Sequence, residues 1–176
     1  MGKAEKPTYL FIEDDKVVFK PAEKLWGKLT GETQELIKEA EGDQNLCVSA
    51  IGPAGENRVR YACVITEYRA AGRGGVGAVM GSKNLKAFAI RGSGTNDVSD
   101  REKFQAWMDW YTGEAKKIPA LATGLPTLGT PALVSSIGKM LGAMGSYNHQ
   151  TEWFEQWELL SGERLKRDYW VKDTGC

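Results

Sequence analysis

Between Tyr68 and Lys86 the chain carries five glycines, two arginines and two lysines, set between apolar runs on either side. A segment so poor in Cβ atoms lets the backbone come close to a ligand, and the flanking cations favour a negatively charged one. Two readings follow: an anion cradle, or a structural glycine-rich bend in a β-protein. The other predicted elements are arranged around this stretch.

Spacing separates the stretch from two nucleotide fingerprints that it imitates. Gly72-Arg73-Gly74-Gly75-Val76-Gly77 satisfies G-x-G-x-x-G, with Asp97 as the later acid. A dinucleotide fold, however, needs a crossover helix before its next parallel strand. Only seven residues, Ala78 to Asn84, precede the strand expected at Leu85, against roughly ten to twelve for a crossover. Gly81-Ser82-Lys83 is not a P-loop, which places Lys directly after its last glycine and Ser or Thr after the Lys. What remains is a loop whose N–H groups and arginines hold phosphate or another polyanion. Arg69 and Arg73 are its fork-shaped donors, expected to be buried among small residues. Lys83 and Lys86 are either point charges of the cradle or half-solvated surface residues.

The 176 residues, 41% hydrophobic with formal net charge +0, suit one globular domain of ordinary size. Balanced charge argues against binding nucleic acid along a basic surface. No signal peptide, myristoylation signal or transmembrane span is visible, so a cytoplasmic protein that makes no membrane contact is expected.

In chain order, Thr8–Ile12 and Val17–Lys20 read as a hairpin about a polar turn. Pro21–Gly27 reads as a helical turn. Thr30 caps a helix that turns Leu36, Ile37 and Ala40 inward and stops at Gly42. Leu46–Ile51 and Arg58–Ile65 read as strands joined by the turn Gly52–Asn57, and Leu85–Gly92 as another strand. Near Gly92 the pattern changes to helical period, which places a β-rich domain over 1–94 and a helical one over 95–176. Ser99 and Glu102 form a capping box for a helix with a Phe104, Trp107, Met108, Tyr111, Ala115 and Ile118 stripe, read as a packing face. A turn-rich stretch from Pro119 to Gly129 precedes a helix started by Thr130-Pro131 and stopped by Gly145. Two short helices follow, around Trp153–Leu160 and Leu165–Tyr169. The fold class is α+β.

Little else signals chemistry. Cys47 and Cys63 sit in apolar runs and read as core residues, whereas Cys176 follows a glycine as cluster motifs do, or has no role. His149 is the only histidine, which excludes a zinc site with several imidazoles, and reads as a hydrogen-bonded structural residue. Glu56-Asn57 either orients a ligand or stabilises its turn.

Ile51–Asn57 together with Tyr68–Ala87 resembles the aldehyde ferredoxin oxidoreductase family of tungsten enzymes. The resemblance starts at Gly2–Pro7, includes Trp26-Gly27, and continues more loosely through Gly124-Leu125-Pro126, Gly129-Thr130, Asn148–Thr151 and Ser161-Gly162-Glu163. It implies a β-rich N-terminal domain that cradles a tungsten bis-pterin (tungstopterin), followed by the start of a helical domain. It implies that Arg69 lies by the pterin phosphates and that the Ala70 carbonyl helps hold the Mg ion joining them. Gly72, Arg73, Gly74 and Gly75 complete the cofactor-binding set, and Cys176 resembles the first ligand of a 4Fe-4S cluster.

The activity implied is oxidation of an aldehyde to a carboxylic acid, with electrons passing through the cluster to ferredoxin; no catalytic residue is assigned to this chain. Three further cluster cysteines and the family's first part are missing, so the chain reads as an internal fragment, inactive alone. Its expected partners are the remaining portions of the same enzyme, homo-oligomeric when complete. The alternatives are a non-catalytic remnant or binding module of the same fold, and a related aromatic-CoA reductase subunit. Truncation is expected to leave apolar surface exposed on the strands and at Trp153, Trp157 and Trp170.

Overall fold

The structure, a computed structural model, describes residues 2–172. The chain forms two compact units that part between Asn96 and Asp97.

The first unit is built on one six-stranded mixed sheet. Its strands are β1 (Thr8–Glu13), β2 (Lys16–Pro21), β3 (Cys47–Ala50), β4 (Val64–Thr66), β5 (Arg69–Ala71) and β6 (Leu85–Arg91), in the order β2-β1-β6-β3-β4-β5. Only the β1–β6 pair is parallel. The hairpin β1–β2 stands as the alternation predicts, and a single 3-10 turn, Glu23–Leu25, follows it.

Helix α1 (Thr30–Glu41) ends on Gly42 in the left-handed region, as expected, but Thr30 is its first residue rather than its cap. The buried side of α1 carries Thr33, Gln34 and Ile37, whereas Ala40 is exposed. Ile37 packs with Tyr9, Phe11, Leu25, Leu46, Val48, Ala50, Ala87 and Ala89 into the main core, on one face of the sheet. At its border Tyr9 Oη donates to Glu41 Oε1 at 2.5 Å, and Lys20 Nζ reaches the same carboxylate at 2.6 Å. Burial, then the bond to Glu41 and its charge, push the Tyr9 hydroxyl well above its ordinary pKa. Burial would also raise Glu41, but the bonds from Lys20 and Tyr9 and the charges of Lys20 and Arg91 outweigh it and hold the carboxyl low.

The opposite face is apolar by the same alternation and thinly covered. Register places Phe19, Leu10 and Phe88 in one row across it and Val17, Ile12, Ile90 and Cys47 in the next. Met80, on helix α3 (Val76–Ser82), covers the Phe88 and Leu85 end with Ile51 and Val64. Val17 and Phe19 stay exposed.

Further expectations fail in this unit. Pro53–Glu56 is a short helix, α2, because Pro53 suits a first helical turn. Arg58–Cys63 is irregular rather than strand, and Arg58 adopts φ 57. Cys47 is exposed on its strand and Cys63 only partly buried, so neither is a core thiol.

The second unit is helical. Helix α4 (Arg101–Lys116) is capped by Asp100, whose carboxylate accepts from Lys103 N at 3.0 Å, one residue later than the box read at Ser99. None of its residues is buried. Trp107 and Trp110 pack edge to face with centroids 4.8 Å apart. The stretch expected to be turns is a π-helical segment, Ala120–Gly124, followed by helix α5 (Leu125–Leu128). The helix expected after Pro131 is π-helical over Val134–Met140, without a Thr130 cap. A 3-10 turn, Trp157–Leu160, leads into helix α6 (Gly162–Tyr169), where Ser161 Oγ accepts from Arg164 N at 3.2 Å. Of the tryptophans expected to lack cover, Trp153 and Trp170 are exposed and Trp157 is half-buried. No helix among the described residues is long and apolar enough to cross a membrane.

Candidate anion-binding site

The β4–β5 hairpin sets out two of the predicted residues. Its turn consists of Glu67 and Tyr68 alone, so Thr66 and Arg69 are the pair that exchanges backbone hydrogen bonds. Alternation makes Ile65 and Ala70 the non-bonded pair, and Ala70 therefore directs its N–H and C=O away from β4. β5 is the last strand of the sheet, so both groups face an open edge.

The hairpin is held from behind. Buried Gln34 donates through Nε2 to Ile65 O at 3.4 Å and accepts from Glu67 N at 2.9 Å. Ser49 Oγ and Thr66 Oγ1 lie 2.6 Å apart across the strands. Nothing in the sequence singled out Gln34, because a glutamine on an amphipathic helix ordinarily belongs to the solvated side.

The five glycines divide into two sets. A Cβ on Gly75 would lie 2.2 Å from Arg60 O, one on Gly77 2.5 Å from Cys63 O, and one on Gly81 1.9 Å from Gly55 O. These three allow α3 to seat against α2 and the 60–63 segment, as a structural glycine bend would require. Gly72 and Gly74 are different. A Cβ on Gly72 meets only Cys63 Sγ, at 3.7 Å, and one on Gly74 meets nothing within 4 Å. Gly74 needs glycine for its backbone, at φ 89, and the loop Gly72-Arg73-Gly74 is exposed.

Arg69 and Arg73 are also exposed, not buried among small residues, since one lies on an edge strand and the other in that outward loop. Arg58 and Arg60 are exposed as well. Among the described residues none of these four arginines forms an ion pair, although Lys20, Lys28, Lys38, Lys86 and Arg91 all do.

The two lysines leave the cradle. Lys83 Nζ donates to Gly2 O at 2.9 Å. Lys86 is fully buried, neither surface residue nor ligand donor: its Nζ lies 2.5 Å from Glu56 Oε1 and 2.9 Å from Lys28 O. The β1–β6 register passes from Thr8↔Leu85 to Tyr9↔Ala87 and skips Lys86, and this bulge re-aims its side chain. Glu56 also accepts from Gly27 N, at 3.0 and 2.8 Å, while Asn57 Nδ2 donates to Pro53 O at 2.9 Å. Both residues of that dipeptide serve the local structure.

The nucleotide reading fails on topology as well as length. The glycine loop leads through α3, a helix the sequence did not disclose, into β6. That strand lies three positions from β5 and runs against it, so no parallel crossover exists here.

His149 is exposed, and its Nδ1 lies 3.7 Å from Glu152 Oε1, beyond hydrogen-bond distance, so the hydrogen-bonded role expected of its side chain is not found among the described residues. No group of three or more His, Cys, Asp or Glu among the described residues is placed to hold a metal, and Cys176 lies outside them.

A mixed α+β unit with an open-edged hairpin and an arginine-flanked glycine loop defines a domain suited to holding an anionic group. Residues 1–92 match the family described as aldehyde ferredoxin oxidoreductase, N-terminal domain, and the chain belongs to that family. It is similar to the tungsten-containing aldehyde ferredoxin oxidoreductase of Pyrococcus abyssi, at 45% identity over 99% of this chain. It is also similar to an aliphatic sulfonate oxidoreductase, WOR-like subunit, of Pyrococcus furiosus, at 35% identity. Among solved structures, the active site complex BamBC of benzoyl coenzyme A reductase, in complex with 1,5 dienoyl-CoA, matches 66% of this chain and 18% of its own with a TM-score of 0.64 and 40% identity. The chain spans 29% of the length of the Pyrococcus abyssi relative and 30% of the sulfonate oxidoreductase.

Proposed function

We propose that this chain is the phosphate-anchoring part of a tungstopterin enzyme that oxidises aldehydes to carboxylic acids and passes the electrons through a 4Fe-4S cluster to ferredoxin. The observation that carries the reading is the open edge at Ala70 beside an uncovered glycine loop and arginines that form no ion pair among the described residues. These residues fit a phosphorylated, metal-bridged cofactor: Arg69 and Arg73 supply guanidinium forks to phosphate oxygens, and the outward Ala70 carbonyl suits a hard cation such as Mg. Gly72 and Gly74 let the backbone approach, whereas Gly75, expected in the same set, is occupied by its packing on the Arg60 carbonyl. When bound, the tungstopterin supplies the two-electron redox chemistry. This chain's residues bind and orient it, and the Gln34 clamp keeps the hairpin fixed while they do so.

The rest of the enzyme is proposed to come from outside these residues, with Cys176 as a cluster ligand, homo-oligomer formation and a cytoplasmic setting as parts of the same reading. The half-bare second face of the sheet and the unburied α4 stripe support it, because a packed domain covers such faces. The test is to produce the chain anaerobically with tungstate, alone and together with the remaining length of its relatives, and to assay tungsten, pterin and aldehyde oxidation. Cofactor and activity are expected only in the joint preparation, and Arg69→Gln lowers its tungsten content. Stoichiometric tungsten on the chain alone refutes the proposal. The similarity to BamBC favours a second reading, a subunit that reduces aromatic CoA thioesters, which turnover of such a thioester without aldehyde oxidation would select.

A further inference from the structure

We infer that Lys86 and Glu56 are positioning residues of the anion site: their buried ion pair fixes helix α2, and α2 in turn fixes where the 72–74 loop stands. The inference rests on the reading of Arg69 and Ala70 as cofactor ligands and extends it to two residues that touch no ligand.

Helix α2 is a single turn, Pro53–Glu56, too short to hold its place by its own hydrogen bonds. Its last side chain ties it to two other parts of the unit. The Glu56 carboxylate accepts from Gly27 N at 3.0 and 2.8 Å and from Lys86 Nζ at 2.5 Å, and the same ammonium donates to Lys28 O at 2.9 Å. Strand β6 gives up regular register at Lys86 to aim that side chain. A buried ion pair adds little net stability over apolar side chains of equal volume. What this one supplies is a fixed direction and length between β6, the 27–28 segment and α2.

From α2 the constraint reaches the loop through backbone alone. A Cβ on Gly55 would lie 2.9 Å from Gly77 O, and one on Gly81 1.9 Å from Gly55 O, so α2 and α3 meet with no side chain between them. In parallel, Arg58 N donates to Gly55 O, Val59 N to Ala54 O and Ala62 N to Val59 O, each at 2.9 Å, and Gly77 N donates to Ala62 O at 3.0 Å. Helix α3 begins at Val76, directly after the loop and its cap Gly75. Close-packed backbone has no rotamer to change, so a displacement of α2 is passed to the loop rather than absorbed.

The test is E56D, which keeps the charge and shortens the side chain by one C–C bond, about 1.5 Å. Helix α2 must then move or lose the Gly27 bond. In amide NMR of this chain the signals of residues 72–77 are expected to shift. In the joint preparation with the remaining length of its relatives, tungsten per protein is expected to fall at least about twofold. I37V, in the main core to which α2 contributes no residue, is the comparison: it should lower the urea midpoint and leave those amides and the tungsten content unchanged. Should E56D not fold, K86M/E56Q, which removes both charges at nearly unchanged volume, carries the same expectation on both readouts. Unmoved loop amides, unchanged tungsten, or equal effects in I37V overturn this inference. If R69Q lowers tungsten where the Glu56 variants do not, the reading of Arg69 stands alone; if R69Q has no effect either, or the unaltered joint preparation takes up no tungsten, both fall.

Discussion

Substituting Lys86 by Met tests whether the buried Lys86–Glu56 pair locks the first unit together. Met fills the volume of the lysine stem and removes the ammonium, so the change isolates the charge. In the native structure Lys86 is 0% exposed and bonds both Glu56 Oε1 and Lys28 O, while the Glu56 side chain is 5% exposed. Without Lys86 the carboxylate keeps a single donor, Gly27 N. Leaving one charge of a buried pair uncompensated costs about 3–5 kcal/mol, a large share of the roughly 5–15 kcal/mol that holds a domain folded. E56Q strands the ammonium in the same way and should cost a similar amount. The double variant K86M/E56Q removes both charges and should be less destabilised than the sum of the singles by several kcal/mol. Urea unfolding followed by circular dichroism gives the cycle, and amide exchange at Gly27 reports the lock itself. A loss below about 1 kcal/mol in K86M, with Gly27 still protected, or strictly additive single effects, would refute the reasoning.

Glycine replacements should separate the two sets in the stretch. Gly81→Ala drives a methyl against Gly55 O and is expected to cost at least about 1–3 kcal/mol in the urea midpoint. Gly113→Ala, inside α4 with nothing within 4 Å of its Cβ, should instead stabilise that helix by about 0.5–1 kcal/mol; a neutral Gly81→Ala contradicts the packing argument. Gln34→Ala leaves Glu67 N without its acceptor, and exchange at that amide should accelerate while the main core stays protected. On the acid side, the Ser93 N–H and hydroxyl hold Asp14 below its usual pKa, and Asn45 N–H with Arg91 does the same for Asp43; Glu41 is low as well. A depressed folded value means that the unfolded chain binds more protons. The stabilisation is therefore complete above the unfolded values of 3.8 and 4.5 and is lost as pH falls through the folded ones. Tyr9 is raised, so its contribution is present below 10.0 and declines as pH rises beyond it. Urea midpoints from pH 2.5 to 11 should form such a plateau, and rising stability on acidification would be incompatible with it.

The sheet was legible wherever period 2 is written by apolar residues. The hairpin, the β3 strand and β6 are read within a residue or two, and the left-handed Gly42 marks the end of α1. Tertiary context hid the rest. Val64–Thr66 is paired and Arg58–Cys63 is not, although the latter looks equally strand-like, because Gly75 and Gly77 press against its backbone. Helix α3 was obscured by its glycines, which propensity counts against a helix and which close packing demands here. Lys86 was the largest surprise. A lysine beside a glycine loop invites a ligand role, and only the bulge that re-aims it, with Glu56 thirty residues away, reveals the buried pair. In the candidate site, Arg69, Arg73 and the glycines stood out by type, whereas Gln34 holds the hairpin through neighbours that no local pattern records.

The division of the glycines changes what a motif of this kind means. Had all five served a ligand, the loop would have no fixed position from which to hold it. Here Gly75, Gly77 and Gly81 bring backbone against backbone, which fixes where α3 begins, and the loop immediately before α3 is thereby anchored at its exit. Its entry is anchored by the β4–β5 turn on Gln34 and Ser49. Gly72, Arg73 and Gly74 lie exposed between the two anchors. An anion site benefits from that arrangement, because donors held in place need little ordering when the ligand arrives. The same constraint explains why the G-x-G-x-x-G spacing arises without a dinucleotide fold: Gly77, with the intervening Gly75, answers to the Cys63 and Arg60 carbonyls, and Gly72 and Gly74 to the space in front of them.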